Sequence, residues 1–327
     1  MKQEAFEQRY SESWEQFEKA TGLLNGGARK RSASAENQHL WTGFDQQYRQ
    51  ICQHLAIARA RRYSIELQQK LNQMALDGHR HFYSEKVPIA HTVLQFIVYG
   101  FPQAIRQRWK PIAVSFLLFF GVGTATAVGV YYNPDLIYYL MDPQQVGEFE
   151  RMYDPTNDVL GRERNSGTDL MMFGFYISNN VSIGFQTYAG GLFFGLGTLF
   201  YLVFNGIYIG AVAGHLQRIG YGEPFWSFVS GHSALELLAI VIFGGVGLSL
   251  GRSLIAPGGY KRFHALRITA RETLPLVYGG ALMLLFAAFV EAYWSSMTTP
   301  PVRLKYAVGI AFWAAIAAYF SLAGKRQ

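Results

Sequence analysis

IAVSFLLFFGVGTATAVGVYY, residues 112–132, is a run of 21 residues without a Lys, Arg, Asp, Glu or His. At about 1.5 Å per residue, a helix of that length spans the roughly 30 Å hydrocarbon core of a bilayer. A second stretch, LPLVYGGALMLLFAAFV at 274–290, is equally free of charge. Such segments exclude an uninterrupted soluble enzyme, and the fold class they imply is all-α, a polytopic helical membrane protein. Hydropathy extends the series to six spans, at 111–132, 170–188, 190–214, 233–251, 274–294 and 306–322. The segment 170–188 is the least apolar of them, because Ser178, Asn179, Asn180, Ser182, Gln186 and Thr187 all fall inside it. A helix that polar needs shielding by neighbours or only partial insertion.

The charges missing from the spans collect upstream. Residues 1–110 carry 16 Lys or Arg against 10 Asp or Glu, a balance of +6 within a total of +7. Apolar positions at Phe6, Tyr10, Trp14 and Phe17 repeat at helical spacing and predict an amphipathic helix over 3–21. The glycines and the Arg29–Arg31 cations within 24–35 read as a linker. A second helix is expected over 36–62, with a stripe through Leu40, Phe44, Tyr48, Ile51, Leu55 and Ala58, and a third over 64–83. Residues 85–110 read as an interfacial helix ending in Arg106, Arg108, Trp109 and Lys110. The domains are then 1–110, a cytoplasmic helical domain without a signal peptide, and 111–327, the membrane domain. The basic balance fits attraction to anionic membrane lipid, and no nucleic-acid fold signature accompanies it. The single cysteine, Cys52, excludes a disulfide scaffold.

Loop charge orients the spans. Segment 133–169 holds eight Asp or Glu against three Arg and reads as extracytoplasmic, with a short helix over 142–153. The loop 252–273 and the C-terminal Lys325 and Arg326 are basic and read as cytoplasmic, so six spans leave both termini on the cytoplasmic side. A five-span arrangement would put the C-terminus outside, against that charge pattern.

Polar residues at membrane depth need partners, which makes them the functional candidates. They are Asn179, Asn180, Gln186, Asn205, His232, Glu236 and Glu291. The Asn residues read either as interhelical packing groups or as the lining of a substrate or ion path. His232 and Glu236, four apart on one helical face, read as an ion pair or cap. Two ligands on one helix fall short of a catalytic zinc site, so no metal and no cofactor are expected. Glu291 reads as interfacial, and His79 and His81 as surface or packing histidines. Gly191 with Gly195, and Gly247 with Gly251, have the GxxxG spacing of close helix packing within the chain or across a homodimer. No nucleophile motif, phosphate loop or paired carboxylates in a common segment is present, which argues against an enzyme.

The pattern as a whole resembles the stage II sporulation protein M family of integral membrane proteins. The similar stretches are YRQICQHLAIARA (48–60), LNQMALDGHRHFY (71–83), NNVSIGFQTYAGGLFFGLGTLFYLVFNGIYIGAVAG (179–214) and GHSALELLAIVIFGGVGLSLG (231–251). Ser233 departs from the glycine that often follows the family's histidine. The resemblance implies a non-enzymatic membrane scaffold that positions envelope- or peptidoglycan-remodelling partners, cell-wall enzymes in spore formers and MoxR-type ATPases elsewhere. The alternative is a transporter or channel whose polar site is formed by Asn179, Asn180, Asn205, His232 and Glu236.

Overall fold

The computed structural model describes residues 2–25, 43–83, 89–157, 160–161 and 169–325. The chain divides into two compact units, Met1–Thr92 and Val93–Gln327. All regular structure among the described residues is helical.

The first unit contains α1 (Gln3–Asn25), α2 (Phe44–Ala60) and α3 (Ile65–Tyr83). Most of the expected linker and the start of the second predicted helix, with Leu40, lie outside the described residues. The apolar stripes of the three helices meet in one core of Phe6, Trp14, Phe17, Phe44, Ile51, Leu55, Leu71 and Met74. Removing these side chains from water is what orders the helices against each other. Phe17 and Phe44 stack with ring centroids 5.2 Å apart. A tight turn joins α2 to α3, where the Tyr63 amide donates to the Ala58 carbonyl and Arg62 takes a φ of +52°. The Gln3 side chain ties α1 to this corner, donating to Ser64 Oγ at 3.0 Å and accepting from the Ser64 amide at 2.8 Å.

The second unit begins within a helical run made of α4 (Ile89–Gln95), a π turn (Phe96–Gly100) and α5 (Phe101–Gln107). Among the described residues, five helices have the length and hydropathy to cross a membrane: α6 (Trp109–Tyr132), α10 (Leu196–Arg218), α12 (Ser233–Ile255), α13 (Arg262–Val290, prolonged by a π turn to Ser295) and α14 (Val302–Leu322). The apolar core segment of α12 is 72% buried, against 11% for α6 and 17% for α14. The central helix is therefore α12, and α6 and α14 turn most of their apolar surface outward, as lipid-facing helices do.

The sixth predicted span is α9 (Asp169–Ala189), which falls short of the other five in hydropathy. Its buried stripe runs through Met172, Tyr176, Asn180, Gly184 and Thr187. The opposite face exposes Ser178, Asn179, Ser182 and Gln186 at helical spacing. A short 3-10 turn, Gly190–Leu192, separates α9 from α10, so the predicted span from 190 begins as a helix only at Leu196.

The acidic segment folds into α7 (Leu136–Leu140) and α8 (Pro143–Met152). Ile137, Met141, Val146, Tyr153 and Leu160 pack with Ala211, Val212 and Leu216 of α10, and with Phe225 and Phe228 of α11 (Gly222–Ser230). Apolar contact thus closes that end of the bundle, and Glu150 Oε1 meets His215 Nε2 at 2.7 Å.

Glycine lets the helices touch backbone to backbone. A Cβ placed on Gly206, Gly210 or Gly214 of α10 would lie 2.7, 2.2 or 2.3 Å from the carbonyl oxygens of Phe119, Gly123 and Ala127 on α6. Gly191 meets Gly247 in the same way, at 2.3 Å from its carbonyl oxygen, and Gly195 meets Gly251. The four glycines of the two GxxxG pairs thus face one another inside a single chain.

Candidate functional site

His232 caps the N-terminus of α12, where its carbonyl accepts from the Leu235 and Glu236 amides. One helical turn on, Glu236 projects from the same face, and its Oε2 lies 3.7 Å from His232 Nε2. The π turn at the end of α13 supplies Glu291 and Ser295 to the same place. His232 Nδ1 and Ser295 Oγ are 2.9 Å apart. The one-residue widening of a π turn re-aims side chains, and such turns are frequent at functional sites. The ligand atoms of His232, Glu236 and Glu291 all lie within 4.8 Å of one another.

From α9, the Asn180 amide reaches Glu291 Oε2 at 3.5 Å, while Asn179 donates to Asn180 Oδ1 at 3.1 Å. Asn180 is 1% exposed and Glu291 8%. Glu291 is therefore not at an interface, as its position near the end of a span led one to expect, but is held inside by three helices. Lys305 of α14 is buried beside this region and donates to the Ser295 carbonyl at 2.9 Å. Burying that ammonium is tolerable because it is hydrogen-bonded.

The remaining candidates stand apart. Asn205 turns back on its own helix and donates to the Tyr201 carbonyl at 2.7 Å. Gln186 is exposed on the outer face of α9. His79 lies 3.4 Å from the Tyr48 hydroxyl in the first unit, and the His81 side chain lies outside the described residues.

Sequence reasoning missed Ser295 and Lys305, which carry no motif and come beside the cluster only through folding. It also missed the α6–α10 seam, although Gly206, Gly210 and Gly214 form a doubled GxxxG in the sequence.

The opposite end of the bundle is basic. Arg108, Lys110 and Arg252 line a cleft of about 740 Å³ between the start of α6, the end of α12 and the start of α13. Arg108 pairs with Glu272. At the acidic end, Thr156 donates its amide and hydroxyl to Asp154 and holds that carboxyl below its usual range, while the Asp154 charge pushes the Tyr221 hydroxyl up. In the first unit, Trp14 Nε1 donates to His54 Nδ1 at 3.0 Å, and burial lowers the His54 pKa below 6.5.

Residues 4–84 match the family described as Domain of unknown function (DUF8413). Neither the curated proteins nor the solved structures contain a match to the chain. Residues 114–296, more than half of the chain, match the family described as Stage II sporulation protein M. This match covers every element that builds the buried His–Glu–Glu cluster and the glycine seams, and the chain is a membrane protein of the stage II sporulation protein M family.

Proposed function

We propose that the chain is a non-enzymatic scaffold in a bacterial inner membrane, with both termini cytoplasmic, that positions envelope- or peptidoglycan-remodelling proteins. On this reading the first unit docks cytoplasmic partners such as a MoxR-type ATPase. The observation that carries it is the way the membrane helices spend their polar groups. Asn205 is satisfied within its own helix, Thr198 Oγ1 donates to the Thr187 carbonyl at 2.7 Å, and backbone-contact glycine seams join α6 to α10 and α12 to the start of α10. A bundle knitted in this way suits a fixed platform more than a path that opens and closes.

A homodimer belongs to the same reading. The exposed face of α9 places Ser178, Asn179, Ser182 and Gln186 in a row. Amides and hydroxyls both donate and accept, so two such rows can satisfy each other across a two-fold axis. A transporter or channel draws on one observation, the meeting of Asn180, His232, Glu236 and Glu291.

The test is affinity purification of the tagged full chain in mild detergent with mass spectrometry, beside a chain lacking residues 1–92. Recovery of a MoxR-type ATPase or a cell-wall-remodelling enzyme with the full chain, lost on truncation, is expected. A folded chain that recovers neither, together with solute or ion flux in vesicles, would replace the scaffold with the transport reading.

A further inference from the structure

We propose that His232, Glu236 and Glu291 form a binding site for one divalent transition-metal ion, with Zn²⁺ the best fit to the donor set. The site ties α12 to the end of α13 and is independent of the scaffold reading.

The first argument is geometric. One imidazole and two carboxylates from two helices bring their ligand atoms within 4.8 Å of each other. Donors at 2.0–2.2 Å around a four-coordinate Zn²⁺ stand about 3.4 Å apart, so closure requires movements of about 1 Å at the ends of flexible glutamate side chains. Asymmetric positioning of the donors is already in place. His232 Nδ1 lies 2.9 Å from Ser295 Oγ, an outer partner that can hold the ring and leave Nε2, 3.7 Å from Glu236 Oε2, as the ligand atom. That is the arrangement of metal-binding histidines, whose second nitrogen is held by an outer hydrogen bond. Asn180 gives Glu291 a comparable outer contact, at 3.5 Å from Oε2.

The second argument is donor chemistry: one nitrogen with two carboxylates suits Zn²⁺, while Ca²⁺ calls for six to eight oxygens and Mg²⁺ keeps most of its water. Three protein ligands leave a fourth position for water.

The experiment uses the full chain, purified by a tag without histidines, stripped with a chelator and then exchanged into Zn²⁺, Mn²⁺ or Ca²⁺ alone. Elemental analysis and thermal unfolding are read together. About one Zn²⁺ per chain and a raised unfolding midpoint are expected, with Mn²⁺ weaker and Ca²⁺ without effect. Glu291→Gln and His232→Gln should lose both the metal and the midpoint shift, whereas Glu223→Gln, on an exposed residue outside the cluster, should keep them. X-ray absorption of the wild-type chain guards against variants that fail to fold: it should read a nitrogen and oxygen shell near 2.0–2.1 Å without sulfur. A folded wild-type chain that stays metal-free and unresponsive overturns the proposal, as does Zn²⁺ retained by both folded variants or a sulfur ligand from Cys52.

Discussion

Replacing Gly210 by Ala tests whether the α6–α10 seam holds the membrane domain together. The added Cβ would lie 2.2 Å from the Gly123 carbonyl oxygen and 2.9 Å from its carbon, where ordinary contact begins at 3.4 Å. The neighbour must therefore recede by about 1 Å, and a carbonyl already bound in a helix cannot swing aside, so the two helices part along the seam. A gap of 0.5–1 Å forfeits roughly a quarter to a half of each dispersion contact, and overpacking costs about 1–3 kcal/mol. Alanine returns up to about 1 kcal/mol of helix propensity over glycine. The expected net loss is about 1–2 kcal/mol, or roughly 2–8 °C in unfolding midpoint. Gly121→Ala on α6 is the control: nothing lies within 4 Å of its added Cβ, so only the propensity gain applies and the midpoint should hold or rise. Thermal unfolding of the purified chains in detergent, followed by tryptophan fluorescence, reads both. A Gly210→Ala chain as stable as wild type, or an equal fall in Gly121→Ala, would refute the seam as a source of stability.

Asn205→Ala removes only a bond within its own helix, so abundance and unfolding midpoint should change by less than about 1 kcal/mol. A chain that folds normally but loses solute flux would instead favour transport. Ser182→Leu combined with Gln186→Leu should convert a dimer to a monomer in crosslinking of membranes, and an unchanged dimer would remove α9 from the interface. The His54 pKa is lowered in the folded chain, so unfolding takes up protons: the first unit should be fully stable above pH 6.5 and weaken as pH falls toward the folded value. Hydrogen exchange of α1 and α2 in the full chain at neutral and acidic pH measures this, and His54→Gln should flatten the dependence. Trp14→Phe leaves the buried His54 Nδ1 without its donor and should cost about 1–2 kcal/mol in the same assay.

The helical class, the membrane segments and the core of the first unit were legible in the sequence because each rests on a local property. A run without charge reports its own transfer energy. The spacing of Phe6, Trp14 and Phe17 reports which face of one helix is apolar, and all three are buried. The GxxxG spacing likewise marked backbones able to approach closely, although only the fold identifies Gly247 as the neighbour of Gly191. The polarity of 170–188 marked α9 as the odd helix, and only its packing separates buried Asn180 from exposed Asn179 and Gln186.

Tertiary structure alone decided which polar groups meet. Nothing local distinguishes Glu291, near the end of an apolar run, from a glutamate that reaches an interface. Its burial depends on a π turn, on the rotation of α13 about its axis and on the crossing of α12 and α9, and a residue's turn in sequence does not encode those angles. They are set by the summed packing of many side chains across three helices. The sequence alone determined that this chain is a helical membrane protein with a separate polar unit. The juxtaposition of His232, Glu236 and Glu291 was decided in three dimensions, because hydropathy accumulates along one chain while a site requires side chains distant in sequence to converge.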